Sequence, residues 1–223
     1  MFRVKICGVT SVEEAQAAAA AGADAIGLNF FAGSKRYLCR SMSNAEAVAA
    51  AVPTGVLRIG VFVNANAAEI HETAQRFRIA AIQLHGNESP ALPTELLALL
   101  PGTPVLRACR VGVDGLSTVV AELEACTAAG RAPDAVLLDA PAGKAFGGAG
   151  TSFDWRSVEG HAEALGGLPV ILAGGLTPSN VAQAIGTVAP HGVDVASGVE
   201  EASGKKSAAE MRQFVAAARS ALA

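Results

Sequence analysis

Eight short apolar runs, rich in β-branched residues, recur along the chain. They are RVKIC (3–7), AIGLNF (25–30), RIGVFV (58–63), AAIQLH (80–85), VLRACR (105–110), AVLLDA (135–140), PVILAG (169–174) and GVDVAS (192–197). Their centres lie about 22 to 34 residues apart, the length of one strand–helix unit. The stretches between them carry helix-start chemistry. TSVE at 10–13 and SNAE at 43–46 read as capping boxes, in which a hydroxyl and a carboxylate satisfy the first free N–H groups. TPSN at 177–180 places Thr177 at an N-cap and Pro178 at the first helical position. Gly22, in GAD at 22–24, is expected to end the first helix.

Strands alternating with helices in this way admit a closed (β/α)8 barrel or an open doubly wound sheet. The open sheet favours a G-x-G-x-x-G turn after its first strand, and CGVTSV stands there instead. The units fill the chain evenly, with no linker and no break in composition. The expected fold is therefore α/β, a single (β/α)8 TIM barrel over residues 1–223, with eight parallel strands and outer helices. A chain of 223 residues is long enough to bury one such core.

A formal net charge of −3 gives no push toward nucleic acid or an anionic membrane surface. No apolar stretch approaches the ~20 residues that cross a bilayer. The N-terminus lacks the basic and apolar regions of a secretory signal, so a mature, cytoplasmic protein is expected. Cys7, Cys39, Cys109 and Cys126 match no zinc-ligand spacing, and in a reducing compartment they are expected as free thiols. For Cys7 that leaves core packing or catalysis.

In a barrel of this kind the residues that close each strand face the active site. Here they include Cys7, Asn29, Phe30, Asn64, His85, Arg110, Asp139, AGG (173–175) and ASG (196–198). AGGLTP is glycine-rich and runs into a capped helix, and ASGVEE offers Ser197 and Gly198 ahead of a short polar stretch that could form a further half-turn, which together suit a phosphate. Gly174, Gly175, Ser197 and Gly198 are the candidates, the alternative being tight turns alone. Asp139 ends an apolar strand, where a carboxyl short of water would keep its proton and serve as an acid. A loop-stabilising aspartate is the other reading. The helix expected to open at Thr10 or Ser11 could lower the pKa of the Cys7 thiol. Arg36, in the loop FFAGSKRYL, has the fork that can hold a carboxylate in two bonds, whereas Lys35 offers only a point charge; a solvated basic loop is the other reading. His85 faces the same mouth, as a substrate contact or a structural residue. His71, His161 and His191 fall away from the strand ends, and Trp155 is expected to pack at the start of the sixth helix. Lys5 shares the parity of Cys7 and so points into the barrel. A buried lysine needs a partner, and Asp194 on the closing strand is the expected one.

Taken in order, KICG (5–8), SKRY (34–37), GVFVN (60–64), QLHG (83–86), LLD (137–139), GGAGTSFDW (147–155), LAGGLTPSNV (172–181) and GVDVASGVE (192–200) resemble the phosphoribosylanthranilate isomerase family over nearly the whole chain. The resemblance implies a (β/α)8 barrel of tryptophan biosynthesis. Its reaction would be the Amadori rearrangement of N-(5'-phosphoribosyl)anthranilate to 1-(2-carboxyphenylamino)-1-deoxyribulose 5-phosphate, with no metal and no cofactor. It implies Cys7 as general base and Asp139 as general acid. Arg36 would meet the anthranilate carboxylate, with the phosphate on Gly174, Gly175, Ser197 and Gly198 and with His85 among the substrate-binding residues. The partner is a small phosphoribosyl substrate, not nucleic acid or membrane, and the enzyme would be a monomer or homodimer. Lys35, Ala149, Ala196 and Ser207 depart from the family pattern. The alternatives are a related phosphosugar isomerase of histidine biosynthesis, whose family carries aspartate where this chain has Cys7, and a non-catalytic phosphate-binding barrel. Indole-3-glycerol-phosphate synthase is a further rival, whose lysine and glutamate groups find no match at these strand ends.

Overall fold

The computed structural model describes residues 1–112, 114–139 and 154–223. Eight parallel strands close a barrel in chain order: β1 Val4–Cys7, β2 Ala25–Asn29, β3 Leu57–Phe62, β4 Ala81–Leu84, β5 Val105–Arg110, β6 Ala135–Asp139, β7 Val170–Leu172 and β8 Gly192–Val195. Each apolar run holds one of them. β5 has the expected bounds, and the others differ by one or two residues at an end. Closure pairs Lys5 of β1 with Asp194 of β8. The helices described are α1 Val12–Ala20, α2 Met42–Ala51, α3 Ala67–Phe77, α4 Leu92–Leu99, α5 Ser117–Ala128, α6 His161–Ala164, α7 Val181–Val188 and α8 Ala208–Leu222. None is long and apolar enough to cross a membrane.

The strands are buried on both faces, which is why they read as nearly continuous apolar runs. Outward residues such as Val4, Ile6, Ile26, Leu28, Ile82, Leu84, Val136 and Leu138 pack beneath the helices. Inward residues Phe2, Ala25, Ile59, Ala81, Leu106, Ala135, Leu137 and Ile171 fill the barrel floor. Small alanines set against larger side chains tile the narrow interior. The polar inward residues Lys5, Gln83 and Asp194 are buried as well.

Three helix starts differ from expectation. Ser11, not Thr10, caps α1, accepting from Glu14 N–H, and the Glu14 carboxylate returns to Thr10 N–H at 2.7 Å. The box slips by one because Glu14 faces inward, where its other oxygen accepts from Lys206 N–H at 2.8 Å. Ser41 caps α2 in place of Ser43, and Glu46 pairs with Arg76 instead. Residues 177–180 form a turn ahead of α7, in which Asn180 Oδ1 accepts from Thr177 N–H at 2.8 Å. Gly22, at φ +91°, ends α1 as expected. After β8 the chain makes the anticipated short helical turn, Ser197–Val199, and then an unanticipated hairpin, β9 Glu200–Ala202 with β10 Lys205–Lys206.

Trp155 is buried in a short turn, Trp155–Val158, just ahead of α6. His161 Nε2 donates to the Val188 carbonyl oxygen at 2.9 Å, on the helical side of the fold, and is structural. Ala149 lies outside the described residues.

Candidate active site

One cavity of 260 Å³ opens at the C-terminal ends of the strands, and its lining includes Cys7, Arg36, His85, Asp139, Gly174, Gly175, Ser197 and Gly198. All eight candidates from the sequence are therefore brought together. Cys7 closes β1 with its side chain inward. The neighbouring strand is kept clear for it: a Cβ on Gly27 would sit 2.7 Å from Cys7 Sγ and 3.1 Å from Lys5 Nζ. Gly8 follows at φ +76°, and a Cβ there would lie 2.2 Å from Arg36 Cδ. The glycine after the cysteine thus lets the arginine stem lie across the end of β1.

The charge environment of Cys7 differs from the expectation of a lowered pKa. Burial is the largest influence and pushes the thiol up. Asp194 adds to it, and the Lys5 and Lys206 charges offset it only in part. α1 begins at Val12, with Gly8 through Ser11 between its first residue and the thiol. Burial raises the other thiols too, that of Cys109 up to about 12. All four cysteines are free, as expected.

Lys5 and Asp194 form the pair that strand parity foretold, at 2.9 Å. Burial opposes the charge of Lys5, but Asp194 and, after it, Cys7 together outweigh it and hold the ammonium pKa above its ordinary value. Asp139 departs from expectation. Its side chain is 27 % exposed rather than starved of water, and it stands 3.3 Å from His85 Nε2. His85 is in turn held by Gln83, whose Nε2 lies 2.8 Å from His85 Nδ1.

Arg36 is already engaged. Its Nε and Nη2 donate to the two oxygens of Glu200 at 2.6 and 2.9 Å. A guanidinium carries five N–H bonds, so three remain for a substrate carboxylate. Glu200 also accepts from Lys206 Nζ at 2.8 Å and Gly204 N–H at 3.1 Å. Burial works against the charged form of Glu200, yet the bonds from Arg36 and Lys206 prevail and hold its carboxyl down at about 2. Glu200, Lys206 and Gln83 are the residues that sequence reasoning missed. Glu200 closes the quoted GVDVASGVE, and a carboxylate within reach of the arginine loop was the available signal.

The two glycine-rich loops meet closely. A Cβ on Gly198 would fall 1.8 Å from the Leu176 carbonyl oxygen, so only glycine fits. Gly174 and Gly175 both have positive φ, +78° and +70°. Their N–H groups take no part in the backbone hydrogen bonds of the turns and loops described. Asn180 steadies this turn, donating to Gly175 O at 3.0 Å. Of the departures from the family pattern, Ser207 caps α8 as an aspartate would. Ala196 lends its carbonyl to Lys206 Nζ at 2.9 Å, and Lys35 is exposed.

Fold and mouth together define the class: a (β/α)8 barrel with a polar site at the C-terminal strand ends, flanked by anion-suited loops. A family model described as N-(5'phosphoribosyl)anthranilate (PRA) isomerase matches residues 4–217. An N-(5'-phosphoribosyl)anthranilate isomerase of Myxococcus xanthus is 45% identical over 218 residues, covering 98% of this chain and 96% of the relative. That of Acidithiobacillus ferrooxidans is 42% identical over 219 residues, 98% of each chain. The crystal structure of phosphoribosyl anthranilate isomerase from Thermotoga maritima superposes with a TM-score of 0.82 at 34% identity, covering 99% of this chain and 100% of that one. A phosphoribosyl anthranilate isomerase in complex with reduced 1-(o-carboxyphenylamino)-1-deoxyribulose 5-phosphate gives 0.81 at 32% identity, with 99% and 100% coverage. The chain belongs to the N-(5'-phosphoribosyl)anthranilate isomerase family. It is an isomerase of tryptophan biosynthesis.

Proposed function

We propose that Cys7 is the general base and Asp139 the general acid in the Amadori rearrangement of N-(5'-phosphoribosyl)anthranilate. Asp139 gives its proton to the ribose ring oxygen while the aniline nitrogen lone pair forms a C=N bond and the C1′–O bond breaks. The iminium so formed acidifies the C2′ hydrogen. Cys7, as thiolate, takes that proton, and the C–H electrons form the C1′–C2′ double bond and neutralise the nitrogen. The enol then relaxes to the ketone, losing the proton on its C2′ oxygen and gaining one at C1′. The substrate nitrogen is its own electron sink, so these steps call on no cofactor. Acid and base sit on β6 and β1, three strands apart around the closed sheet. That separation lets one group be protonated while the other is ionised.

The remaining N–H groups of Arg36 meet the anthranilate carboxylate. The phosphate lies on the backbone of Gly174, Gly175, Ser197 and Gly198, and His85 borders the substrate. The observation that carries this reading is the single cavity lined by all eight residues. Cysteine at the end of β1 favours it over the histidine-pathway isomerase. The same reading makes the chain one (β/α)8 domain, cytoplasmic, working as a monomer or homodimer. Closure of the barrel within one chain, the free thiols and the small net charge support it. Cys7→Ala and Asp139→Asn should each lower kcat by about 10²-fold or more, the scale of acid–base contributions. Near-normal turnover in either variant would remove that residue from its role, and in both would favour a non-catalytic barrel.

A further inference from the structure

Four side chains on β1, β4, β6 and β8, with His85 just past the end of β4, form one polar chain that runs from the barrel interior up to the mouth. Lys5 Nζ donates to Asp194 Oδ1 and to Gln83 Oε1, each at 2.9 Å. Gln83 Nε2 lies 2.8 Å from His85 Nδ1, and His85 Nε2 lies 3.3 Å from Asp139 Oδ2. Lys5 and Gln83 have no exposed surface.

The sense of every contact follows from the Lys5 end. An ammonium group only donates, so Gln83 must turn its carbonyl oxygen to Lys5. Its NH₂ group is then the part that faces His85 Nδ1, which must be the bare, accepting nitrogen. A neutral imidazole keeps its one proton on the other nitrogen, so the proton sits on Nε2, the nitrogen that stands 3.3 Å from Asp139 Oδ2.

We propose that Lys5 and Gln83 are positioning residues that set the His85 tautomer, so that His85 Nε2–H supports Asp139 Oδ2 as the acid gives up its proton. The inference rests on the reading of Asp139 as the general acid. The transferable proton then belongs on Oδ1, the oxygen that His85 does not face. As it passes to the ribose ring oxygen, the O–H electron pair stays on the carboxylate, and the contact from His85 becomes charge-assisted. An interaction that strengthens as charge develops lowers the barrier rather than the ground state. The opposite tautomer would set a bare nitrogen against the new carboxylate.

The test is ¹⁵N NMR of the full-length protein labelled at histidine, at neutral pH, with His85 assigned by the signal missing in His85→Asn. The expected pattern is the neutral Nε2–H tautomer. An Nδ1–H or doubly protonated ring in the wild type overturns the proposal without any variant having to fold. In Gln83→Met, which leaves the Lys5–Asp194 pair in place, the ring should lose its single tautomer. Its kcat should fall by about tenfold, at the low end of what one transition-state hydrogen bond supplies, with KM changed less than about twofold. An unaltered ring signal or an unaltered kcat in Gln83→Met counts against the proposal. The ring signal is read on resting enzyme, so its failure is distinct from that of the acid reading, which falls only if Asp139→Asn keeps its turnover.

Discussion

Cys7, the base we propose, is kept in an environment that favours its neutral form. Burial and Asp194 both resist the thiolate, and the two lysines compensate incompletely. The raised value is read on the thiol itself, because turnover also depends on the protonation of the acid. Alkylation of Cys7 by iodoacetamide, followed by mass spectrometry, should still be accelerating at about pH 8.5, the ordinary thiol value. A rate that has levelled off below that pH contradicts a thiol held in its neutral form by burial. Beneath it, Lys5 matters for stability first. Lys5→Met leaves Asp194 buried without its cation and should cost about 3–5 kcal/mol in urea unfolding. A loss below about 1 kcal/mol would mean that Asp194 finds another partner. The Lys5–Asp194 pair was legible in the sequence because it needs only strand alternation and barrel closure. Gln83 was not, because its role depends on a contact between β1 and β4, strands that are not neighbours in the sheet.

At the scale of elements, the hairpin β9–β10 is the part that sequence reasoning did not see. It turns the chain back so that Lys206 and Gly204 clamp Glu200 against Arg36. A reversal of a few polar residues leaves no apolar period to read, and its value lies in a contact with a loop 164 residues away. Glu200→Gln should loosen the Arg36 fork and raise KM about tenfold, with a smaller change in kcat, read in steady-state kinetics. An unchanged KM would show that Arg36 holds its place without the glutamate. The depressed carboxyl also carries a pH signature. Its folded value of about 2 lies below an unfolded value near ~4.3. The stabilisation it gives is therefore complete above the unfolded value and is lost as pH falls from there through about 2. The gap in urea midpoint between wild type and Glu200→Gln should narrow across that window. A gap that is constant or widens toward low pH would contradict the linkage. The helix caps at Ser11 and Ser41 teach a smaller lesson: composition located the starts, but inward-facing Glu14 and the Glu46–Arg76 pair decided which residue serves.

At the scale of the molecule, the barrel was readable because eight buried strands in one order leave little freedom. Each must be apolar on both faces, and each must be followed by a chain segment long enough to return. The mouth was readable for the same reason, since strand ends fix what faces it. Apart from the Lys5–Asp194 pair, which charges meet at the mouth was not readable, because those contacts join loops and strands that are not neighbours in the sheet. The central claim is that this barrel is a phosphoribosylanthranilate isomerase working through Cys7 and Asp139. Its most direct test is turnover by the purified chain of N-(5'-phosphoribosyl)anthranilate, followed beside the aminoaldose substrate of the histidine-pathway isomerase. The account predicts conversion of the first and none of the second. Conversion of the histidine-pathway substrate, or no conversion of the anthranilate compound, would contradict it.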